Sequence, residues 1–313
     1  MACRIEESTH FGSQSIELTN GLIRVLILPS FGGRVWELED VRRGRQWIWH
    51  NPSVSPQPLP WAADYDSNWA GGWEELFPND SAVVHEGFSL PDHGEWWNLP
   101  WNSTIENESA ERVVIRMTRG GVTTPTLWQK SIEVVAGRPS VNIHYQIENT
   151  GTTALSVLFK QHLPVEIDHR HRVELPGGTV VPVDLGFSGR IGADGTYQWP
   201  NAAGPAGRTV DLSVPPPPTE TTQEFVYVRD LPEPWCGVLD EATGARLRLH
   251  FDAAQFRYVW LFMSFGGWQG IRTVVLEPCT NMPKDLALAK QLGQCATIPA
   301  GSTLTTSVSA HLS

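Results

Sequence analysis

The sequence predicts an all-β protein, a large antiparallel β-sandwich with few short helices. Three observations carry that expectation. Apolar and polar residues alternate in period two over long stretches, as strands with one buried face require. Turn-forming pairs interrupt those stretches at frequent intervals. Helical periodicity is scarce.

The alternation is plain in Val141-Asn142-Ile143-His144-Tyr145-Gln146-Ile147, where every second residue is apolar. It returns in Leu247, Leu249 and Phe251, and again over 304–312 through Leu304, Val308, Ala310 and Leu312. Denser apolar runs at 22–28, 155–159, 258–263 and 273–276 read as strands buried on both faces. Asn20-Gly21, Gly32-Gly33, Gly120-Gly121, Asn149-Thr150-Gly151, Gly177-Gly178 and Ala300-Gly301 mark the turns. Only 284–293 suits a helix, with Leu286, Ala289 and Leu292 on a shared face. Proline fixes φ and donates no backbone hydrogen bond, so the proline-rich stretches 51–62 and 215–218 are expected to be extended loops. Strand patterning continues in one style on both sides of 215–218, so a single domain is expected over 1–313.

Composition narrows the function classes. The formal net charge is −11 and no lysine- or arginine-rich run occurs, which argues against nucleic-acid binding and weakly against strongly anionic substrates. The N-terminal Met1-Ala2-Cys3-Arg4-Ile5-Glu6-Glu7 is acidic where a signal peptide needs an apolar core. No apolar run approaches the roughly 18 residues needed to span a bilayer. Cys3, Cys236, Cys279 and Cys295 show no CxxC pairing, so free thiols in a cytoplasmic protein are expected, with neither zinc nor a disulfide framework.

Four segments are too polar and aromatic to be only structural. They are Trp69-Ala70-Gly71-Gly72-Trp73-Glu74-Glu75-Leu76-Phe77-Pro78-Asn79-Asp80, Leu90-Pro91-Asp92-His93-Gly94-Glu95-Trp96-Trp97-Asn98-Leu99-Pro100-Trp101, Phe159-Lys160-Gln161-His162-Leu163-Pro164 and Val274-Val275-Leu276-Glu277-Pro278-Cys279-Thr280. In the last two, a titratable side chain follows an apolar strand and precedes a proline expected to end it. A carboxylate at such a strand end can project into a cleft with its pKa raised by partial desolvation.

Taken in order, these pieces resemble the galactose mutarotase-like superfamily, which includes aldose 1-epimerases and hexose-6-phosphate mutarotases. Leu18-Thr19-Asn20-Gly21-Leu22 followed by Ile27 to Val35 is similar to that family's opening hairpin. Gly71-Gly72 to Phe77-Pro78 resembles its glycine-glycine-to-Phe-Pro segment, and His93-Gly94 its His-Gly motif. Asn149-Thr150-Gly151, His162-Leu163-Pro164, Leu276-Glu277-Pro278 and Pro299-Ala300-Gly301-Ser302 complete the set across nearly the whole chain. The resemblance implies a β-supersandwich with two histidines and a glutamate on its concave face. Carried over, Glu277 is the general base taking the proton from the anomeric hydroxyl. His162 is the general acid at the ring oxygen, and His93 hydrogen-bonds the substrate.

Such chemistry suits a carboxylate of raised pKa beside a partly protonated imidazole, and it needs no metal or organic cofactor. In the phosphate-accepting branch an arginine stands where this chain has Ala70, and another where it has Trp97. Without those clamps the implied substrate is an unphosphorylated sugar. Glu74 and Glu75 must face opposite sides of a strand, and Glu75 is taken as the one entering the pocket. Lys160 shares a face with His162 by the same alternation. Among the 14 tryptophans, Trp69, Trp73, Trp96 and Trp97 are the candidate pocket walls. His169 and His171 read as a solvated charged turn. Two rival functions remain: a non-catalytic carbohydrate-binding domain, and a glycoside hydrolase or lyase pairing Asp92 or Glu95 with Glu277. The identity of the sugar and the oligomeric state stay open.

Overall fold

The structure, a computed structural model, describes residues 2–313; Met1, which begins the acidic N-terminal stretch, lies outside them. Strands dominate, and the pairs between neighbouring strands are antiparallel. A five-stranded meander runs from Arg4–His10 to Arg45–Gln46 in sequence order. An eight-stranded sheet carries Ser140–Asn149 and Thr303–Leu312 side by side at its centre. A seven-stranded sheet ends in the order Thr222–Arg229, Tyr258–Phe265, Arg272–Cys279, Lys160–Glu166, Glu74–Leu76.

The two faces of the seven-stranded sheet have different neighbours, and that difference positions the site. Leu163, Val165, Val226, Val228, Leu261, Val274 and Leu276 belong to the main core, packed with Ile143, Tyr145 and Ile147 of the eight-stranded sheet and Leu18 and Val25 of the meander. Their sequence neighbours face the other way. Leu76 and Val275 lie in one smaller cluster there, and Tyr227, Trp260 and Cys279 in another.

The expected strands at 22–28, 141–147, 247–251, 258–263, 273–276 and 304–312 are all present. Three local expectations are corrected. The run 155–159 is a strand only over Leu155–Val157, and His162 sits inside the next strand, Lys160–Glu166. Pro164 and Pro278 do not end their strands. Pro164 pairs with Val275 and its carbonyl accepts from Trp49 N at 2.9 Å on the other side, and Pro278 pairs with Val259. Proline withholds only its N–H, so a strand tolerates it where no neighbour needs that donor. The helix within 284–293 is Leu286–Gln291, started by Asp285, whose side chain accepts a hydrogen bond from Leu288 N. Leu286 and Ala289 are buried, but Leu292 is 55% exposed. At about 100° per residue, Leu292 stands about 120° around the helix from Leu286. The proline-rich stretches are loops. Among the described residues, no helix is long and apolar enough to cross a membrane.

Candidate active site

Strand register assembles the site. His162 pairs with Glu74, and Glu277 with Trp260. Lys160 pairs with Cys279 and Leu163 with Leu276, a register that sets His162 opposite Glu277. Pairing lapses between those two points, where Pro278 brings no N–H to the ladder. The row Glu74, His162, Glu277, Trp260 therefore crosses four strands on the face turned away from the core. Lys160, two residues before His162, joins it.

A cavity of about 300 Å³ opens on this face, lined by Glu277, His162, His93, Lys160 and Trp69 among others. Glu277 is 1% exposed. Burial raises its pKa above the ordinary carboxylate value, and the positive charge of Lys160 works against that rise. The Lys160 ammonium donates to Asp80 Oδ1 at 2.6 Å and lies 2.6 Å from Glu277 Oε2, where no hydrogen-bond alignment is met. It also sits 4.3 Å from the centre of the Trp260 ring. Burial alone would lower the Lys160 pKa, but Asp80 and Glu277 outweigh it and hold the ammonium above its usual range.

His162 presents Nδ1 to the interior, 3.3 Å from the Tyr65 hydroxyl and 3.6 Å from Glu74 Oε1. Tyr65 donates to that same Glu74 oxygen at 2.5 Å. Behind it, Arg34 Nη2 lies 2.8 Å from Glu74 Oε2, and its guanidinium donates to the carbonyls of Phe31, Gly71 and Trp97. This chain fixes the imidazole and leaves Nε2 as the nitrogen free for a ligand. Burial, together with the charges of Lys160, His93 and Arg34, pushes the His162 pKa well below its ordinary value. The expectation of a partly protonated imidazole is thereby corrected: His162 is neutral near pH 7, because a cation there would be desolvated and set beside other cations.

His93 comes from a tight turn. It has φ +58 and Gly94 has φ +75. A Cβ at position 94 would lie 2.1 Å from the Phe77 carbonyl oxygen, so that close approach requires glycine. Nδ1 of His93 is 2.8 Å from Asp92 Oδ2, and its ring stacks on Tyr65 at 3.7 Å between centroids. Tyr65 thus holds both histidines, one by its face and one by its hydroxyl.

The structure closely resembles several solved ones. A candidate aldose 1-epimerase from Klebsiella pneumoniae aligns with a TM-score of 0.73 at 13% identity, over 98% of this chain and 83% of that one. A galactose mutarotase-like protein from Clostridium acetobutylicum gives 0.71 at 13% identity, over 100% and 99%. Slr1438 from Synechocystis gives 0.68 at 17% identity, over 96% of each chain. The chain has the galactose mutarotase-like fold. No protein-family model matches the sequence, and no curated protein does either.

On this mutarotase-like scaffold, four expected pocket residues lie elsewhere. Trp73 shares the parity of Glu75 and enters the main core, where its Nε1 donates to Gln161 Oε1 at 2.9 Å. Trp96 packs against Phe77, Trp128 and Phe159 in the same core. Trp97 stands behind the cavity, edge-on to Tyr65 at 4.9 Å. Glu75 faces the core, bound by Lys130 Nζ at 2.7 Å and the Tyr145 hydroxyl at 2.6 Å. The two glutamates do point oppositely, but it is Glu74 that turns toward His162. Trp69 and Lys160 line the cavity.

Of the carboxylates considered for a hydrolase, Glu95 is fully buried and accepts hydrogen bonds from the backbone N–H groups of Val122, Thr123 and Thr124, so it braces a turn. Asp92 reaches the cavity rim beside His93. Tyr65, Asp80, Phe262 and Trp268 also line the cavity and were missed from sequence. Tyr65 lies on a four-residue helix started by Asp64, too short to leave a periodic signal.

Proposed function

We propose that the protein is an aldose 1-epimerase-type enzyme that interconverts the anomers of an unphosphorylated sugar by acid–base ring opening. The observation that supports this best is the convergence of Glu277, His162 and His93, from three distant stretches of sequence, on one cavity of about 300 Å³ walled by Trp69, Trp268 and Phe262. That volume suits a small ligand, and flat aromatic rings pack well against the C–H faces of a pyranose.

In this reading Glu277 takes the proton of the anomeric hydroxyl while the bond from the anomeric carbon to the ring oxygen breaks. In the singly protonated form of the pair, with Glu277 ionised and the imidazole protonated, His162 delivers a proton to that oxygen through Nε2. The aldehyde turns about its bond to the next carbon and recloses on the other face, with both transfers reversed. One proton leaves the substrate and one returns, so the products balance. Each group must act as acid in one direction and base in the other, which is easiest when their proton affinities are close. Burial raises that of Glu277 and lowers that of His162, bringing them together. His93, held by Asp92, hydrogen-bonds the substrate, and the fixed charge of Lys160 stabilises negative charge near the reacting centre.

The test is anomer-exchange NMR across free aldoses and their phosphates, with wild type and Glu277→Gln compared. Exchange enhanced by the wild type and reduced by about 10²–10⁴-fold in the variant is expected. Absence of enhancement with every sugar would defeat the proposal.

A further inference from the structure

Beside the cavity lies a second, wider groove of about 760 Å³, and Phe187 forms a wall of both. Phe187 belongs to the turn that follows Asp184. Its turn is closed by Asp184, whose side chain accepts from Gly186 N at 2.7 Å and whose carbonyl accepts from Phe187 N at 3.1 Å. Gln223 anchors the far end, accepting from Gly189 N at 2.8 Å through its carbonyl and donating through Nε2 to the Phe187 carbonyl at 3.0 Å. The Phe187 ring packs on Phe262 at 5.6 Å, which packs on Trp268 at 5.3 Å. Phe187 is therefore the residue that the cavity and the groove share.

The groove's chemistry is that of a polyol site. Its lining mixes hydroxyls, an amide and guanidinium groups with the apolar faces of Phe187, Pro205 and Val210. Its charges nearly cancel: Arg190 Nε lies 3.4 Å from the buried Glu224, and Arg208 shares the groove with Glu220. Donors and acceptors side by side, with little net charge, match a sugar's hydroxyls better than a phosphate or an acidic peptide.

We infer that the groove is a subsite for a second sugar unit, so that the substrate class is a short oligosaccharide whose free reducing end enters the cavity. This rests on the proposed sugar chemistry of the cavity. The reducing unit presents its anomeric centre to Glu277 and His162. The unit linked to it crosses the Phe187 ring and lies between Arg208 and Gln223.

The experiment compares anomer exchange of maltose, cellobiose and lactose with that of glucose and galactose, using wild type, Thr221→Trp and Arg208→Ala. Thr221 and Arg208 are exposed groove residues away from the cavity. For the best-matched disaccharide, wild-type kcat/KM is expected to exceed that of the monosaccharides by tenfold or more. Thr221→Trp, which fills the groove, should abolish the advantage while monosaccharide exchange stays unchanged, which also shows that the variant folds. Arg208→Ala should reduce the advantage. Equal or poorer disaccharide exchange, or an advantage that survives Thr221→Trp, overturns the subsite. If no sugar is exchanged, the proposed chemistry fails, and titration of tryptophan fluorescence with the same sugars judges the groove. Disaccharide binding no tighter than monosaccharide binding then overturns it; tighter binding lost in Thr221→Trp upholds it as a binding site.

Discussion

The Lys160 ammonium lies 2.6 Å from Glu277 Oε2, and no hydrogen-bond donor is aligned on that oxygen. The contact is electrostatic, and it opposes the rise in the Glu277 pKa that burial causes. Lys160→Met removes that opposition. The Glu277 carboxyl is then expected to titrate at higher pH than in wild type, readable by carbon-13 NMR of labelled side chains. Asp80 loses its cation as well, so stability is expected to fall by about 3–5 kcal/mol, the usual cost of breaking a buried pair. An unchanged titration would mean that Lys160 does not set the ionisation of Glu277.

The pH dependence of exchange follows from the pair Glu277 and His162. Ring opening needs one proton shared between them. The His162 pKa is lowered well below 6.5, so its protonated form is lost as pH rises through that lowered value, before an ordinary histidine would lose its own. The Glu277 pKa is raised from 4.5, so its proton persists to higher pH than in an ordinary glutamate, which narrows the singly protonated window from the acid side. The alkaline limb of kcat/KM is therefore expected below pH 6.5. Exchange rates corrected for the uncatalysed reaction between pH 4.5 and 8.5 test this. A limb at pH 7 or above would show that His162 is not desolvated as the geometry requires.

How far the sequence can be read depends on what each residue's signal is made of. Strand existence was legible because period-two alternation is a local property, visible in Val141–Ile147 without knowledge of the partner strands. The cavity residues Glu277, His162, His93, Lys160 and Trp69 were legible through ordered motifs and, for Lys160, through its parity with His162. The choice between Glu74 and Glu75 was not, since alternation says that they oppose each other but not which face meets the core. Trp73 and Trp96 misled for a related reason: an indole beside a polar motif serves a core as well as a pocket. Tyr65 left no mark, because a four-residue helix in a loop has no period. The ends of strands at Pro164 and Pro278 were misplaced because the cost of a proline depends on which side needs the missing N–H.

Glu74 and Glu75 offer a direct contrast. Glu75 neutralises Lys130, which is 1% exposed, while Tyr145 donates to its other oxygen. Glu75→Leu strands a buried ammonium, and urea denaturation is expected to show a loss of about 3–5 kcal/mol. Exchange by the protein that remains folded should be unaltered, since Glu75 faces away from the cavity. Glu74→Gln keeps an oxygen for the Tyr65 hydroxyl but weakens the hold of Arg34 and the orientation of His162. It should lower kcat more than it raises KM. A Glu75 variant that folds normally but loses exchange would reverse the faces assigned to the two residues.

The charge around the cavity bears on phosphorylated sugars. Asp66, Asp80, Asp92, Asp184 and Glu277 line it, against Lys160 and Lys284. Lys160 is already engaged by two of those carboxylates. A phosphate entering beside the remainder meets like charge without the bidentate donors that usually compensate it. Glucose 6-phosphate is expected to be exchanged at least tenfold less efficiently than glucose. The deficit should shrink as salt rises from 10 mM to 300 mM, because the Debye length contracts from about 30 Å to below 8 Å over that range and screens the rim carboxylates. A phosphate preference that weakens with added salt would instead mean that Lys284 serves as an anion clamp and that the rim acids do not govern substrate charge.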